Sequence, residues 1–131
     1  MKDLKFRVWD GTVIRLPEYS DKEDFHILPD GRLVHITEYG YERHKLTFGL
    51  PKNWIVMQFI GIKDKNDKDI YEDDIVIGYD FDGNIKFTSK IEFYNGSFRT
   101  IIKGWDIKYE IGSWAIELEI IGNIHENKNL Y

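Results

Sequence analysis

Asn95-Gly96 lies between two runs whose apolar and polar residues alternate. Before it, Ile85, Phe87, Ile91 and Phe93 alternate with Lys86, Thr88, Lys90 and Glu92. Asn-Gly is the residue pair best suited to a two-residue type I′ bend, which needs positive φ at both positions and matches the twist of the strands it joins. Such a bend fixes the register. Phe93 is expected opposite Phe98 on the inside, and Glu92 opposite Arg99 on the outside. A slip of one residue would turn every side chain to the wrong face. This segment therefore has to be an antiparallel hairpin with one covered face and one wet face.

The same period recurs downstream. Trp105, Ile107, Tyr109 and Ile111 alternate with Asp106, Lys108 and Glu110, and Ile116, Leu118 and Ile120 with Glu117 and Glu119. Upstream, Lys5 to Trp9 and Thr12 to Leu16 flank Asp10-Gly11, a second two-residue signal that would place Val8 opposite Val13. Phe25 to Leu28 and Arg32 to Thr37 flank Pro29-Asp30-Gly31. With Asp30-Gly31 as the bend, Leu28 faces Leu33 and His26 faces His35. Leu46 to Phe48 is a short strand. Trp54 to Ile62 is apolar at nearly every position and reads as a strand buried on both faces. Lys63 to Asp69 is a turn, and Glu72-Asp73-Asp74 a tight corner in which one aspartate accepts backbone N–H bonds. Ile75, Ile77, Tyr79 and Phe81 then share one face of a strand. Asn127 to Tyr131 closes with one helical turn.

No long helical period occurs, and turn signals separate short strands throughout. The expected fold is mostly β, with short antiparallel strands in a small barrel or sandwich, an N-terminal hairpin extension and little helix. One domain of 131 residues is expected, with hairpins over about 1–50, a β core over about 54–124 and a short tail.

Composition narrows function mostly by exclusion. There are no cysteines, which rules out disulfides, thiol catalysis and cysteine-ligated metal sites. The first residues lack the apolar stretch of a signal peptide, and no apolar run is long enough to span a bilayer, so a cytoplasmic protein with no membrane partner is expected. The net charge is −5, opposite to the basic excess of a duplex-binding domain. Acid is concentrated between Asp64 and Asp82, where eight acids face two lysines. This stretch reads first as a solvated surface, and second as a patch for a basic partner.

Three blocks carry a resemblance to a known family. They are Lys5-Phe6-Arg7-Val8-Trp9-Asp10; Met57 to Lys68 continuing through Ile70-Tyr71-Glu72-Asp73-Asp74-Ile75-Val76; and Glu119-Ile120-Ile121-Gly122-Asn123-Ile124-His125-Glu126-Asn127. In order and content they resemble the YopX family of phage and prophage proteins. The resemblance implies a mostly-β, phage-encoded intracellular protein and supplies no reaction and no catalytic residue. The family usually carries glycine where Asp67 and Asp73 stand here, which implies either some backbone strain or a different shape at each turn.

Candidate chemistry is sparse. His26 and His35, as cross-strand neighbours, form a candidate metal site, with His44, Asp21, Glu23 or Asp24 as a further ligand; the plain reading is two surface imidazoles. Asp64 to Asp69 starts like a calcium loop, but Lys68 stands at the fifth position, Asp69 at the sixth and Ile75 at the twelfth. Asp73-Asp74 and Glu126-Asn127-Lys128 suit metal-dependent phosphodiester chemistry only if carboxylates converge from separate strands. No serine sits in a nucleophile elbow and no glycine loop fits a phosphate. The remaining candidate is a sheet face bearing Lys86, Lys90, Arg99, Lys103 and Lys108 with Tyr94 and Trp105 nearby, of the kind small barrels use for single strands or peptides. The expectation is a non-enzymatic binding or assembly module without a cofactor, for a protein or nucleic-acid partner, with self-association hiding exposed strand edges. The competing expectation is a metal-dependent enzyme acting on nucleic acid.

Overall fold

The computed structural model describes residues 5–16, 23–27, 33–38, 44–48, 54–80, 82–104, 108–111 and 117–131, with backbone alone for 23–27, 33–38, 44–48, 85 and 86. The described residues form twelve strands and no helix, an all-β fold. It divides into two compact units, residues 6–56 and residues 1–5 with 57–131.

In the first unit β1 (Phe6–Trp9) pairs antiparallel with β2 (Ile14–Arg15). The register is Val8↔Arg15 and Trp9↔Ile14, not Val8 opposite Val13. The Asp10 carboxylate accounts for the difference. Its Oδ1 accepts the N–H groups of Thr12 and Val13, both at 2.8 Å, and its Oδ2 accepts Arg15 Nε at 2.6 Å. That bonding supports a loop wider than a two-residue bend, with Gly11 at φ 96°. Val8 is fully buried against Val56 of β6 (Ile55–Lys63) and Trp54, the residue just before that strand.

A second sheet in this unit has the order β3-β4-β5, from β3 (Glu23–Ile27), β4 (Leu33–Glu38) and β5 (His44–Phe48). Its register corrects another expectation. His26 pairs with Val34 and His35 with Phe25, and the ladder closes at Ile27↔Leu33. The connection is thus longer than Asp30-Gly31 alone, so His26 and His35 are not opposite each other. Side chains of His26, His35 and His44 lie outside the described residues, as do Pro17 to Lys22 and Asp30-Gly31 themselves.

The second unit is built on a five-stranded antiparallel sheet of order β11-β10-β9-β8-β12. Its strands are β8 (Asp74–Tyr79), β9 (Ile85–Tyr94), β10 (Ser97–Ile102), β11 (Lys108–Glu110) and β12 (Glu117–Asn123). Asn95 and Gly96 have φ 53° and 85°, the two positive values a type I′ bend demands. The pairs Phe93↔Phe98 and Glu92↔Arg99 form as the bend dictates.

One face of this sheet covers the core. Val76, Ile91 and Leu118 are buried there with Ile70 of β7 (Asp69–Tyr71), and Ile60, Ile111 and Ile120 pack around them. Burying a side chain of this size contributes roughly 1.5–3 kcal/mol. Phe93, expected inside, is 51% exposed, and Phe87 is exposed too. Phe93 and Phe98 instead form an edge-to-face pair with ring centroids 5.1 Å apart. Phe93 stands near the Asn95-Gly96 bend at the end of β9, whereas the buried residues of this face of the strand, Ser89 and Ile91, lie farther from the bend.

The middle of β6 is covered on both faces, as expected: Met57 and Phe59 are buried on one, and on the other Val56 packs against Val8 and Ile60 against the Ile91 core, whereas Ile55 and Ile62 toward the two ends are exposed. Its pairing with β7 shifts between Phe59↔Tyr71 and Lys63↔Asp69, and Gly61 at φ 95° lies in that irregular stretch. Ile75, Ile77 and Tyr79 do share a face, but it is the face away from the core, which Val76 supplies; Phe81 lies outside the described residues. Asn127 to Tyr131 forms turns where one helical turn was expected. A single bond from Asn127 N–H to the Asn123 carbonyl is followed by one from Leu130 N–H to the Asn127 carbonyl, too few to propagate a helix. No helix among the described residues is long and apolar enough to cross a membrane.

Candidate functional site

The outer face of the five-stranded sheet, turned away from the Ile91 core, is laid out in cross-strand rows. One row runs Gly122, Ile75, Lys90, Ile101, Lys108 across β12, β8, β9, β10 and β11. The next toward the hairpin tip is Glu92, Arg99, Glu110, and the last is Tyr94 with Ser97. Residues paired in register project to the same side. Lys90, Tyr94 and Arg99, singled out by the alternation, are therefore brought together on one face. Lys103 is exposed in the turn after β10, at the opposite end of the strand from Tyr94. Trp105 and the side chain of Lys86 lie outside the described residues.

The cations on this face are matched by carboxylates. Lys108 Nζ lies 3.1 Å from Glu92 Oε1 and 3.8 Å from the centre of the Tyr94 ring. Lys90 Nζ lies 3.8 Å from Glu92 Oε2. Arg99 stands in register between Glu92 and Glu110, and its Nε is buried without a hydrogen-bond partner among the described residues. A surface like this offers both signs of charge, an aromatic ring and a guanidinium, with little net positive potential to attract phosphates.

A residue the alternation did not mark completes the face. Tyr131 donates its hydroxyl to the Ile101 carbonyl at 2.7 Å, and Lys90 Nζ sits 5.2 Å from its ring centre. Burial, then the nearby Glu92 carboxylate, push the Tyr131 phenol above its ordinary range. A single aromatic after a polar tail has no period to reveal it.

The acidic stretch does different work. Asp64 is buried and accepts three backbone N–H groups, from Asn66 at 2.8 Å, Lys68 at 3.0 Å and Ile120 at 3.0 Å. Burial pushes its carboxyl up, and these bonds more than reverse that, so it titrates below the usual carboxylate range. Lys65 N–H adds a bond to the Leu118 carbonyl at 2.8 Å. The turn thereby satisfies groups along the outer edge of β12, which would otherwise be open for pairing.

At the corner, the two aspartates have separate partners. Asp74 is 1% exposed and its Oδ2 accepts Tyr71 N–H at 2.8 Å. Asp73 Oδ2 lies 2.8 Å from His125 Nε2, while its backbone bonds to Ile91 O and Ile124 N–H. Glu72 Oε1 accepts Gln58 N–H at 2.7 Å, and burial raises its carboxyl against the pull of that bond. Asn123 anchors the far side by accepting the N–H groups of His125 and Glu126 on its Oδ1 and donating to Glu126 Oε1. Asp73 and Asp74 therefore serve different local structures and do not converge on a shared point. No group of three or more potential metal ligands occurs among the described residues.

Comparison with known proteins agrees with the fold. A family model described as YopX protein matches residues 5–131. The crystal structure of protein yopX from Bacillus subtilis superposes with a TM-score of 0.65 at 23% identity, covering 97% of each chain. Protein EF1440 from Enterococcus faecalis superposes with a TM-score of 0.54 at 21% identity, covering 99% of each chain. At these identities the likeness shows the fold alone. No curated protein matches the chain.

Proposed function

Because the chain belongs to the YopX family, and its motif residues serve turns and strand edges, we propose that it is a non-enzymatic binding or assembly module whose outer sheet face docks a protein. The partner surface is of mixed charge, and the setting is the cytoplasm of a phage-carrying host cell. The observation that supports this reading is the pairing within the face, where Glu92 takes both Lys90 and Lys108 at 3.8 and 3.1 Å. A face that already neutralises its own lysines gains little from counterion release on a nucleic acid, whereas alternating signs give a protein partner register and specificity.

The experiment is a pair of binding measurements on the purified full chain. Retention on immobilised single-stranded DNA is expected to be negligible at about 50 mM salt, the range where phosphate contacts are strong. Capture of a host or phage protein is expected to be lost with Lys108→Glu and retained with Lys68→Glu, a change at an exposed position of the Asp64–Asp69 turn. Retention on DNA that declines steadily with salt and disappears with Lys90→Glu would overturn the reading in favour of a nucleic acid.

A further inference from the structure

The segment from Asn127 to Tyr131 lies on the face proposed above. Leu130 sits at one end of the central row: a Cβ on Gly122 would come within 2.9 Å of Leu130 Cδ1. Tyr131 sits farther along the same row, on Lys90 and the Ile101 carbonyl. Ile75, between Gly122 and Lys90 in register, is fully buried, and Ile101 is 7% exposed, although both project from the side of the sheet away from the core.

We infer that residues 128–131 are a displaceable strap occupying an aromatic seat on this face, and that a partner segment presenting a tyrosine takes the seat when the strap leaves. The seat supplies what a phenol needs. There is a backbone carbonyl for the hydroxyl, an ammonium over the ring, and the buried aliphatic side chains of Ile75 and Ile101 in the same row. The backbone bond of the strap is local: Leu130 N–H bonds to Asn127 O within the segment itself. The bonds that fix the preceding turn run between Asn123 and Asn127, so they survive its departure. Displacement would also free Lys90 beside Glu92, coupling the seat to the mixed-charge rows. The inference rests on the docking face proposed above for the identity of the incoming group, but the seat can be tested without any partner.

The test uses amide NMR on the full chain and on Tyr131→Ala, with a synthetic peptide Asn-Lys-Asn-Leu-Tyr added in trans. The peptide is expected to shift the amides of Lys90, Glu92, Ile101 and Ile75 in Tyr131→Ala, and to shift them several-fold less in the unaltered chain, where the seat is filled. The same peptide ending in alanine should do neither. Absence of shifts in Tyr131→Ala, or equal shifts in both chains, overturns the strap. Hydrogen exchange on the unaltered chain guards against a variant that fails to fold. The Leu130 amide should exchange through local opening, orders of magnitude faster than amides of β9. Protection equal to that of the core overturns the proposal. If the peptide binds but Lys108→Glu leaves protein capture intact, the seat stands and the docking-face reading falls.

Discussion

Two turns in the second unit share a design and differ in one side chain. In the Asp64–Asp69 turn, a buried aspartate collects backbone N–H groups and Asp67 adopts a left-handed backbone at φ 65°. In the Glu72–Asp74 corner, Asp74 is the buried acceptor and Asp73 is left-handed at φ 68°. The strain that the family resemblance offered as one outcome at positions 67 and 73 is thus present at both. The Asp67 side chain is 87% exposed and has Lys63 Nζ at 3.7 Å. Asp73 instead holds His125, and so ties the corner to the segment after β12. The same backbone geometry is a bare cost in one turn and part of a fastening in the other.

The comparison can be pressed hardest through the buried acceptors. Asp64→Ala strands three N–H donors, two in its own turn and one on β12. Each bond to the charged carboxylate contributes about 1.5–3 kcal/mol, so a loss of several kcal/mol is expected in urea unfolding. A loss below about 1 kcal/mol would mean that the bond to β12 adds nothing.

Gly122→Ala comes next. Its Cβ would fall 2.4 Å from Asn127 Oδ1, the atom that accepts Asn123 N–H at 3.2 Å. Overpacking of this kind costs about 1–3 kcal/mol. A neutral melt would show that the Asn127 side chain swings away at no cost and that the turn after β12 is looser than described.

Acid sharpens the comparison between aspartate turns of the two units. The Val13 N–H and the Arg15 guanidinium, with smaller help from Thr12, hold the Asp10 carboxyl at about 2 against an ordinary 3.8. The stability it contributes is complete above the ordinary value and is lost as pH falls through the lowered one. Asp64 behaves in the same sense. Glu72, raised by burial, acts in the opposite sense, favouring the fold as it becomes neutral. Unfolding free energy should therefore decline on acidification, and the decline should be shallower in Asp10→Asn and Asp64→Asn. An unchanged slope in Asp64→Asn would contradict its assigned bonds.

What could be read from the residues follows the range of the forces involved. The β9–β10 register was legible because Asn95-Gly96 sets it locally. The Asp10-Gly11 register was not, because the Asp10 carboxylate recruits Arg15 and widens the loop. The His26–His35 register failed in the same way, through the length of its connection. Alternation identified Lys90, Tyr94 and Arg99 as one face, since period is a backbone property. It assigned Phe93 to the interior wrongly, because the extent of the covering layer is decided by other strands. Tyr131 joins the face through a tertiary contact with Ile101, which no local pattern encodes.

The most direct measurement is urea unfolding of Asp67→Gly and Asp73→Gly, each with and without His125→Ala. Relief of a left-handed aspartate is worth about 0.5–1 kcal/mol. Asp67→Gly should gain that amount in either background. Asp73→Gly should gain less, or lose stability, with His125 present, and should recover the full gain once His125 is alanine. Identical gains for both glycine variants, indifferent to His125, would contradict the division of labour between the two turns.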